Sequence, residues 1–236
     1  MGYLLPSELL DHICAPYRAA GKFAWHFARG KLGRDPVFAH ILQAGYIPDQ
    51  ARVLDIGCGQ GLLAALLCGM EDYAHDPSTQ RPVIKVASIT GIELMPKDVY
   101  RAQRALRSFG SRVQIIQGDM CRVEFGEADV VVILDVLHYV PYEEQNDILR
   151  RVFACLPSGG VLLLRIGDEA AGLPFLLSKW VDAAVFTLRG HQSARVYCRP
   201  LTEWETQLKE TGFKVNAIPM YQGTPFANIL LHCQCP

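Results

Sequence analysis

The stretch Val53-Leu54-Asp55-Ile56-Gly57-Cys58-Gly59-Gln60-Gly61 constrains the fold of this chain more than any other. An apolar strand runs into an acid, then into three alternating glycines, then into the apolar helix Leu62–Met70. One glycine is enough for a tight turn from strand to helix. Three in alternation point to a backbone that a ligand approaches closely, because glycine reaches left-handed conformations and carries no side chain. The rhythm of strand and helix then repeats. Strands are read at Arg52–Ile56, Ser88–Leu94, Arg112–Gln117, Asp129–Leu134 and Val161–Ile166, the last taken as apolar throughout. Helices are read at Pro96–Phe109 and at Glu143–Leu156, which Pro157-Ser158-Gly159-Gly160 stops. Strands separated by helices specify a parallel sheet with helices on both faces. A further helix, Thr202–Thr211, takes Thr202 as its N-cap and Gly212 as its stop. Phe213–Pro219 and Asn228–His232 follow without a long crossover, which predicts a hairpin at the sheet edge.

The segment before Arg52 has a different texture. Tyr3, Tyr17, Phe23, Trp25, Phe27, Phe38 and Tyr46 are spread among glycines and prolines, and Leu9, Leu10, Ile13 and Tyr17 fall at helical spacing. Short helices are expected there, ending near Gly45–Pro48. The expected organisation is one domain over 1–236, with a helical cap at 1–48 and a core at 49–236 that carries an insertion at 168–200. Glu71–Pro82 reads as a polar, exposed loop. Leu173–Leu188 reads as a helix carrying Phe175, Trp180 and Phe186.

Charge narrows the partners. The 23 Lys+Arg balance 24 Asp+Glu, so the formal net charge of −1 supplies no global drive toward nucleic acid or an anionic membrane. No apolar run approaches the ~20 residues of a membrane span, so no membrane insertion is expected. The start lacks a basic n-region and a long apolar h-region, and the cytoplasm is the expected compartment. The eight cysteines contain no C-x-x-C pair, which argues for small buried thiols rather than a metal site, and no metal is expected.

The glycine turn also discriminates among ligands. A dinucleotide fingerprint G-x-G-x-x-G starting at Gly57 needs a third glycine at position 62, where Leu62 stands. No Gly-Lys-Ser/Thr follows, so the P-loop pattern fails as well, and the phosphate readings are weak. An acid just before the turn, Asp55, suits a cationic or amino-bearing ligand better than a phosphate.

Val53–Gly61 resembles motif I of the class I S-adenosylmethionine-dependent methyltransferases. Further pieces fall in that family's order. Gly91-Ile92-Glu93-Leu94 resembles the end of its second strand, where an acid binds the ribose hydroxyls. Gln117-Gly118-Asp119-Met120 resembles the end of the third, where an acid reads the adenine amino group. Leu134-Asp135-Val136-Leu137-His138-Tyr139 resembles the fourth-strand motif beside the methionine part of the cofactor. Leu156–Leu164 resembles the turn into strand five. The match covers roughly residues 50–167. It implies a Rossmann-like, doubly wound α/β sheet of seven strands with the last pair antiparallel and a helical cap, and S-adenosyl-L-methionine as cofactor. The cofactor-binding residues it implies are Asp55, Gly57, Cys58, Gly59, Gln60, Gly61, Glu93, Leu94, Asp119, Met120, Asp135 and Val136. One departure stands out: Glu93 follows Asp55 by 38 residues, longer than the ~20 of a compact unit.

The acceptor is less constrained. His138 is the candidate general base, because an imidazole titrates near neutrality. Tyr139, Trp25 and Arg29 are candidate pocket residues. The run Arg29-Gly30-Lys31-Leu32-Gly33-Arg34 suits an acidic group or a carrier's phosphopantetheine phosphate. Asp135-Val136-Leu137-His138 stands in place of the Asn-Pro-Pro-Tyr of enzymes that methylate nucleic-acid amino groups, so no nucleic-acid partner is expected. The expectation is methylation of oxygen or carbon on a small-molecule or carrier-bound acceptor. Two alternatives stay open at this point: a NAD(P)-dependent oxidoreductase, and a non-catalytic S-adenosylmethionine-binding protein. The acceptor's identity and the oligomeric state are not encoded in any pattern above.

Overall fold

The structure is a computed structural model that describes residues 5–74, 84–167, 196–220 and 228–236. The expected helix Leu173–Leu188 and the core of the expected insertion fall outside them. Seven strands form one sheet in the order β3-β2-β1-β4-β5-β7-β6. They are β1 (Arg52–Ile56), β2 (Ser88–Glu93), β3 (Val113–Gln117), β4 (Val130–Leu134), β5 (Val161–Gly167), β6 (Lys214–Pro219) and β7 (Asn228–Gln234). The chain divides into two compact units, Met1–Val132 and Ile133–Pro236.

The first unit opens with three helices, α1 (Ser7–Cys14), α2 (Lys22–Arg34) and α3 (Pro36–Ala44), with a 3-10 turn, Ala15–Ala20, between the first two. α1 is amphipathic and buries Leu9, Leu10, Ile13 and Cys14. At α3 the Asp35 carboxylate accepts from the Val37 amide at 3.1 Å, Pro36 fills the first turn, and left-handed Gly45 ends the helix. β1 then pairs in parallel with β2, and β2 with β3. α4 (Leu62–Ala74) and α5 (Pro96–Ala105) are the crossovers. Val53, Leu54 and Ile56 of β1 are all buried, as expected of a parallel strand covered on both faces.

Several boundaries differ from the sequence reading. α4 continues to Ala74, through the start of the stretch Glu71–Pro82 read as a loop; the rest of that stretch, residues 75–82, lies outside the described residues. The cause is Glu71, a buried carboxylate that accepts from the Arg112 guanidinium at 2.5 Å and gives the last turn a tertiary anchor. α5 stops at Ala105 rather than Phe109, because the chain tightens into a 3-10 turn, Arg107–Arg112, that contains left-handed Gly110.

The second unit contains α6 (Tyr142–Cys155), β5, α7 (Leu201–Thr211) and the β6–β7 hairpin. β7 pairs antiparallel with both β5 and β6, leaving β6 at the edge. α7 starts at Leu201, after Pro200, so Thr202 lies inside the first turn and is not the N-cap; its carbonyl accepts from the Thr206 hydroxyl at 2.8 Å. Proline sets an extended entry and lacks an amide proton, which moves the start forward by one residue. Gly212, at φ 118°, ends the helix as expected. β5 is buried along its length, but it is not apolar throughout: Arg165 sits in it with 2% exposure. Among the described residues, no helix is long and apolar enough to cross a membrane.

Candidate functional site

The register of the parallel strands aligns the carboxyl ends of β1, β2 and β3. Asp55 stands opposite Gly91, Ile56 opposite Ile92, and Glu93 opposite Gln117. Beyond β1 the chain turns through Gly57, Gly59 and Gly61, all at positive φ (73°, 56° and 71°). The amides of Gly57 and Cys58 both donate to the Ile92 carbonyl, at 2.8 and 3.1 Å, which welds the turn to the end of β2. A Cβ at Gly59 would meet no atom beyond its chain neighbours within 4 Å, so the turn is open at this residue and a side chain here would fill that space.

Glu93 is 9% exposed and holds this turn. One carboxylate oxygen accepts from the Gly59 amide at 2.9 Å and the other from the Met95 amide at 2.7 Å. Each oxygen keeps a further lone pair for a ligand donor. The backbone carbonyl of Glu93 accepts from Gly118 at 3.0 Å, which brings the turn after β3 alongside. In that turn Asp119 accepts from the Cys121 amide at 2.9 Å through one carboxylate oxygen, an Asx-type arrangement that leaves the side chain partly exposed. Leu94 is 53% exposed.

Asp55 differs from both. It is 5% exposed, and no donor or cation among the described residues reaches its carboxylate. Burial first, and then the neighbouring Glu93 carboxylate, push its pKa up to about 7. Burial also pushes the Cys58 thiol up, so Cys58 packs as a neutral group. The Gln60 side chain is buried with both amide atoms unpartnered, while its backbone carbonyl accepts from the Tyr17 hydroxyl at 2.8 Å. Tyr17 is fully buried and pins the 3-10 turn to the glycine turn. Tyr17→Phe is expected to lower stability by about 1–2 kcal/mol, since it leaves a buried carbonyl unsatisfied. Urea unfolding of the two proteins measures this.

Trp25 and Arg29 lie together on α2. The Arg29 guanidinium is 6.0 Å from the Trp25 ring and pairs with Asp11.

The remaining candidates belong to the second unit. Asp135 follows β4 at φ 58°, a rare conformation for a side chain other than glycine. Its carboxylate is held in bidentate fashion by Arg165, with Nε donating at 2.7 Å and Nη2 donating to the other oxygen. Val136 leads into the short 3-10 turn Leu137–Tyr139, where the His138 and Tyr139 rings are 4.1 Å apart. Gln145 is fully buried on α6; its amide nitrogen shares two protons among the carbonyls of Leu137, Val140 and Tyr197, at 3.1, 3.1 and 2.8 Å, and its oxygen accepts from Arg199 at 2.9 Å. The turn bearing His138 is therefore fastened by a buried polar network.

Sequence reasoning missed Tyr17, Arg165, Gln145 and Arg199. Arg165 had a signal: a cation inside an apolar strand needs a buried partner. The other three had none, because their partners are backbone carbonyls or residues distant in the chain. Among the described residues, no cluster of three His, Cys, Asp or Glu could hold a metal ion.

A family model described as "Methyltransferase domain" matches residues 24–218. A carboxy-S-adenosyl-L-methionine synthase of Aeromonas hydrophila is 29% identical over 166 residues, 69% of this chain and 62% of that protein. A ubiquinone biosynthesis O-methyltransferase of Xanthomonas axonopodis pv. citri is 31% identical over 135 residues, 55% of this chain and 48% of that protein. The chain thus spans less than two thirds of the length of either relative. Among solved structures, the magnesium protoporphyrin IX methyltransferase of Synechocystis PCC 6803 with bound SAH matches 94% of both chains with a TM-score of 0.59 at 20% identity, which shows the fold.

Proposed function

The chain belongs to the methyltransferase-domain family, and from that premise we propose that it transfers a methyl group from S-adenosylmethionine to a small-molecule or carrier-bound acceptor. The observation that carries this reading is the pairing of the open glycine cradle at Gly59 with the buried, unpartnered Asp55 carboxylate. A cationic nucleoside suits both: the cradle admits its body, and its positive charge compensates Asp55. The cofactor supplies an electrophilic methyl group on a sulfonium. The chain supplies position and exclusion of water, which in model systems account for up to ~7–11 kcal/mol of a displacement barrier.

On this reading Glu93 accepts from the vicinal ribose hydroxyls with its remaining lone pairs while it holds the Gly59 amide. Asp119, with Met120, reads the adenine amino group, and Leu94 covers the ribose. In the second unit, Asp135 and Val136 keep their assignment to the methionine part of the cofactor, and His138 its assignment as base for a protonated acceptor. The whole chain, 1–236, is then one cytoplasmic methyltransferase domain with residues 1–48 as its cap.

Calorimetric titration of the full chain with S-adenosylmethionine and S-adenosylhomocysteine tests the reading. Saturable one-to-one binding of both is expected, with no competition from NAD. Absence of heat with both cofactors overturns it. Transfer of labelled methyl from S-adenosylmethionine into a small-molecule extract separates an enzyme from a non-catalytic binder.

A further inference from the structure

The first unit carries an open groove of about 480 Å³ lined by Arg18, Lys22, Trp25 and His26, within the size range of small-molecule sites. Two elements build it. The 3-10 turn contributes Arg18, and one face of α2 contributes Lys22, Trp25 and His26, spaced so that they neighbour one another on the helix. The Arg18 guanidinium lies over the Trp25 ring, 5.2 Å from its centroid, and the His26 ring meets the indole edge-on at 4.6 Å.

Three cations of this unit are compensated: Arg29 pairs with Asp11, Lys31 with Asp35 at 2.8 Å, and Arg101 with Asp98 at 2.9 Å. Arg18 and Lys22 have no carboxylate partner among the described residues, in a chain whose formal net charge is −1. The cation–π contact with the indole places the Arg18 guanidinium at the groove and leaves its N–H donors available for a bidentate acceptor. The element carrying Arg18 is held on both sides. Tyr17 donates to the Gln60 carbonyl of the glycine turn at 2.8 Å, and Arg104 donates to the Ala19 carbonyl at 2.6 Å. A guanidinium over an indole, on an element held at both neighbours, and a second cation together match an anion carried on a planar or apolar body.

We propose that this groove binds the acidic group of the methyl acceptor, a carboxylate or phosphate monoester attached to a planar or apolar body, with Arg18 and Lys22 as its cations. Naming the ligand as the acceptor rests on the methyltransferase reading; the anion binding itself does not. Trp25 keeps the pocket role expected from the sequence, whereas the charge of Arg29 is already taken by Asp11.

The test uses the full chain and four probes in calorimetry: 2-naphthoate, 2-naphthyl phosphate, inorganic phosphate and the neutral 2-naphthalenemethanol. The naphthyl acids are expected to bind at least about tenfold more tightly than the alcohol, with affinity falling as salt rises. Tighter binding of the carboxylate or of the phosphate identifies which acid the acceptor carries. Arg18→Glu combined with Lys22→Glu is expected to reduce acid binding at least about tenfold. Both positions are exposed, and an acid at residue 22 suits a helix N-terminus, so the variant folds. Arg18→Gln serves as a milder second variant. S-adenosylhomocysteine affinity, measured on the same samples, is expected to stay unchanged in both. Equal binding of acid and alcohol, or undiminished naphthoate binding in the double variant, overturns the groove. If naphthoate behaves as expected while S-adenosylhomocysteine does not bind, the methyltransferase reading falls and the anion site stands.

Discussion

Gly59→Val is expected to weaken S-adenosylhomocysteine binding by at least about 100-fold while the chain remains folded. The steric argument rests on where the new side chain goes. A Cβ at Gly59 meets no protein atom within 4 Å, so its volume falls on the ligand's side of the turn. The cost to the fold comes from the backbone: φ is 56°, and a left-handed conformation costs an ordinary residue about 1–2 kcal/mol. Gly59→Ala carries less strain and less bulk, and is expected to weaken binding to a smaller degree. Gly61→Ala is the internal control. Its Cβ would lie 2.6 Å from Leu106 Cδ1, inside the protein, so it is expected to lose stability by overpacking while cofactor affinity of the folded fraction changes little. Circular dichroism melts and calorimetric titration of the three variants separate the two effects. Wild-type affinity in folded Gly59→Val would move the ligand away from the turn.

The second large effect concerns Asp55. Asp55→Asn is expected to raise the melting temperature at pH 8 and to weaken S-adenosylmethionine binding by at least about tenfold. Burial and Glu93 raise the folded-state pKa from the ordinary 3.8 to about 7. The folded state therefore binds the proton more tightly than the unfolded state. The resulting penalty is absent below about pH 4, grows as pH rises, and is complete above about pH 7. The gap between the two values corresponds to roughly 4 kcal/mol at most. A buried amide without partners costs about 1–3 kcal/mol of its own, so the net gain is at most about 1–3 kcal/mol, or a few degrees. The same pKa fixes the sign of the pH effect on binding. A cationic cofactor favours the ionised carboxylate, so binding releases a proton near neutrality and affinity rises with pH up to about 7. Titrations in two buffers of different ionisation enthalpy read that proton. In the Asn variant the release is expected to disappear. A variant that binds as tightly as the parent and releases the same proton would remove Asp55 from the site.

Asp55 and Glu93 also mark how far the sequence could be read. Both were identifiable as acids closing apolar strands, Glu93 even across the 38 residues that separate them, because a strand ending in an acid is a local pattern. Their states were not. The Glu93 carboxylate bonds to Gly59 and Met95, whereas the Asp55 carboxylate bonds to nothing among the described residues, and that contrast depends on which amides a turn happens to aim at each. Arg165 makes the same point from the opposite side. It was overlooked in a strand read as apolar, yet it forms the bidentate pair with Asp135. The partners are 30 residues apart, and no spacing rule connects them.

The sequence alone determined the order of strands and helices, the sharp glycine turn and the antiparallel last pair, because these follow from hydrophobic period, glycine placement and loop length, all short-range properties of the chain. Only the tertiary structure decided that Tyr17 anchors the glycine turn, that Gln145 and Arg199 fasten the turn bearing His138, and that Arg18 lies over Trp25 beside Lys22 with no carboxylate partner for either cation among the described residues. Those outcomes depend on burial and on which hydrogen-bonding groups meet across long loops. Such meetings are set by packing the whole chain, since a buried polar group takes whatever partner the fold brings within reach.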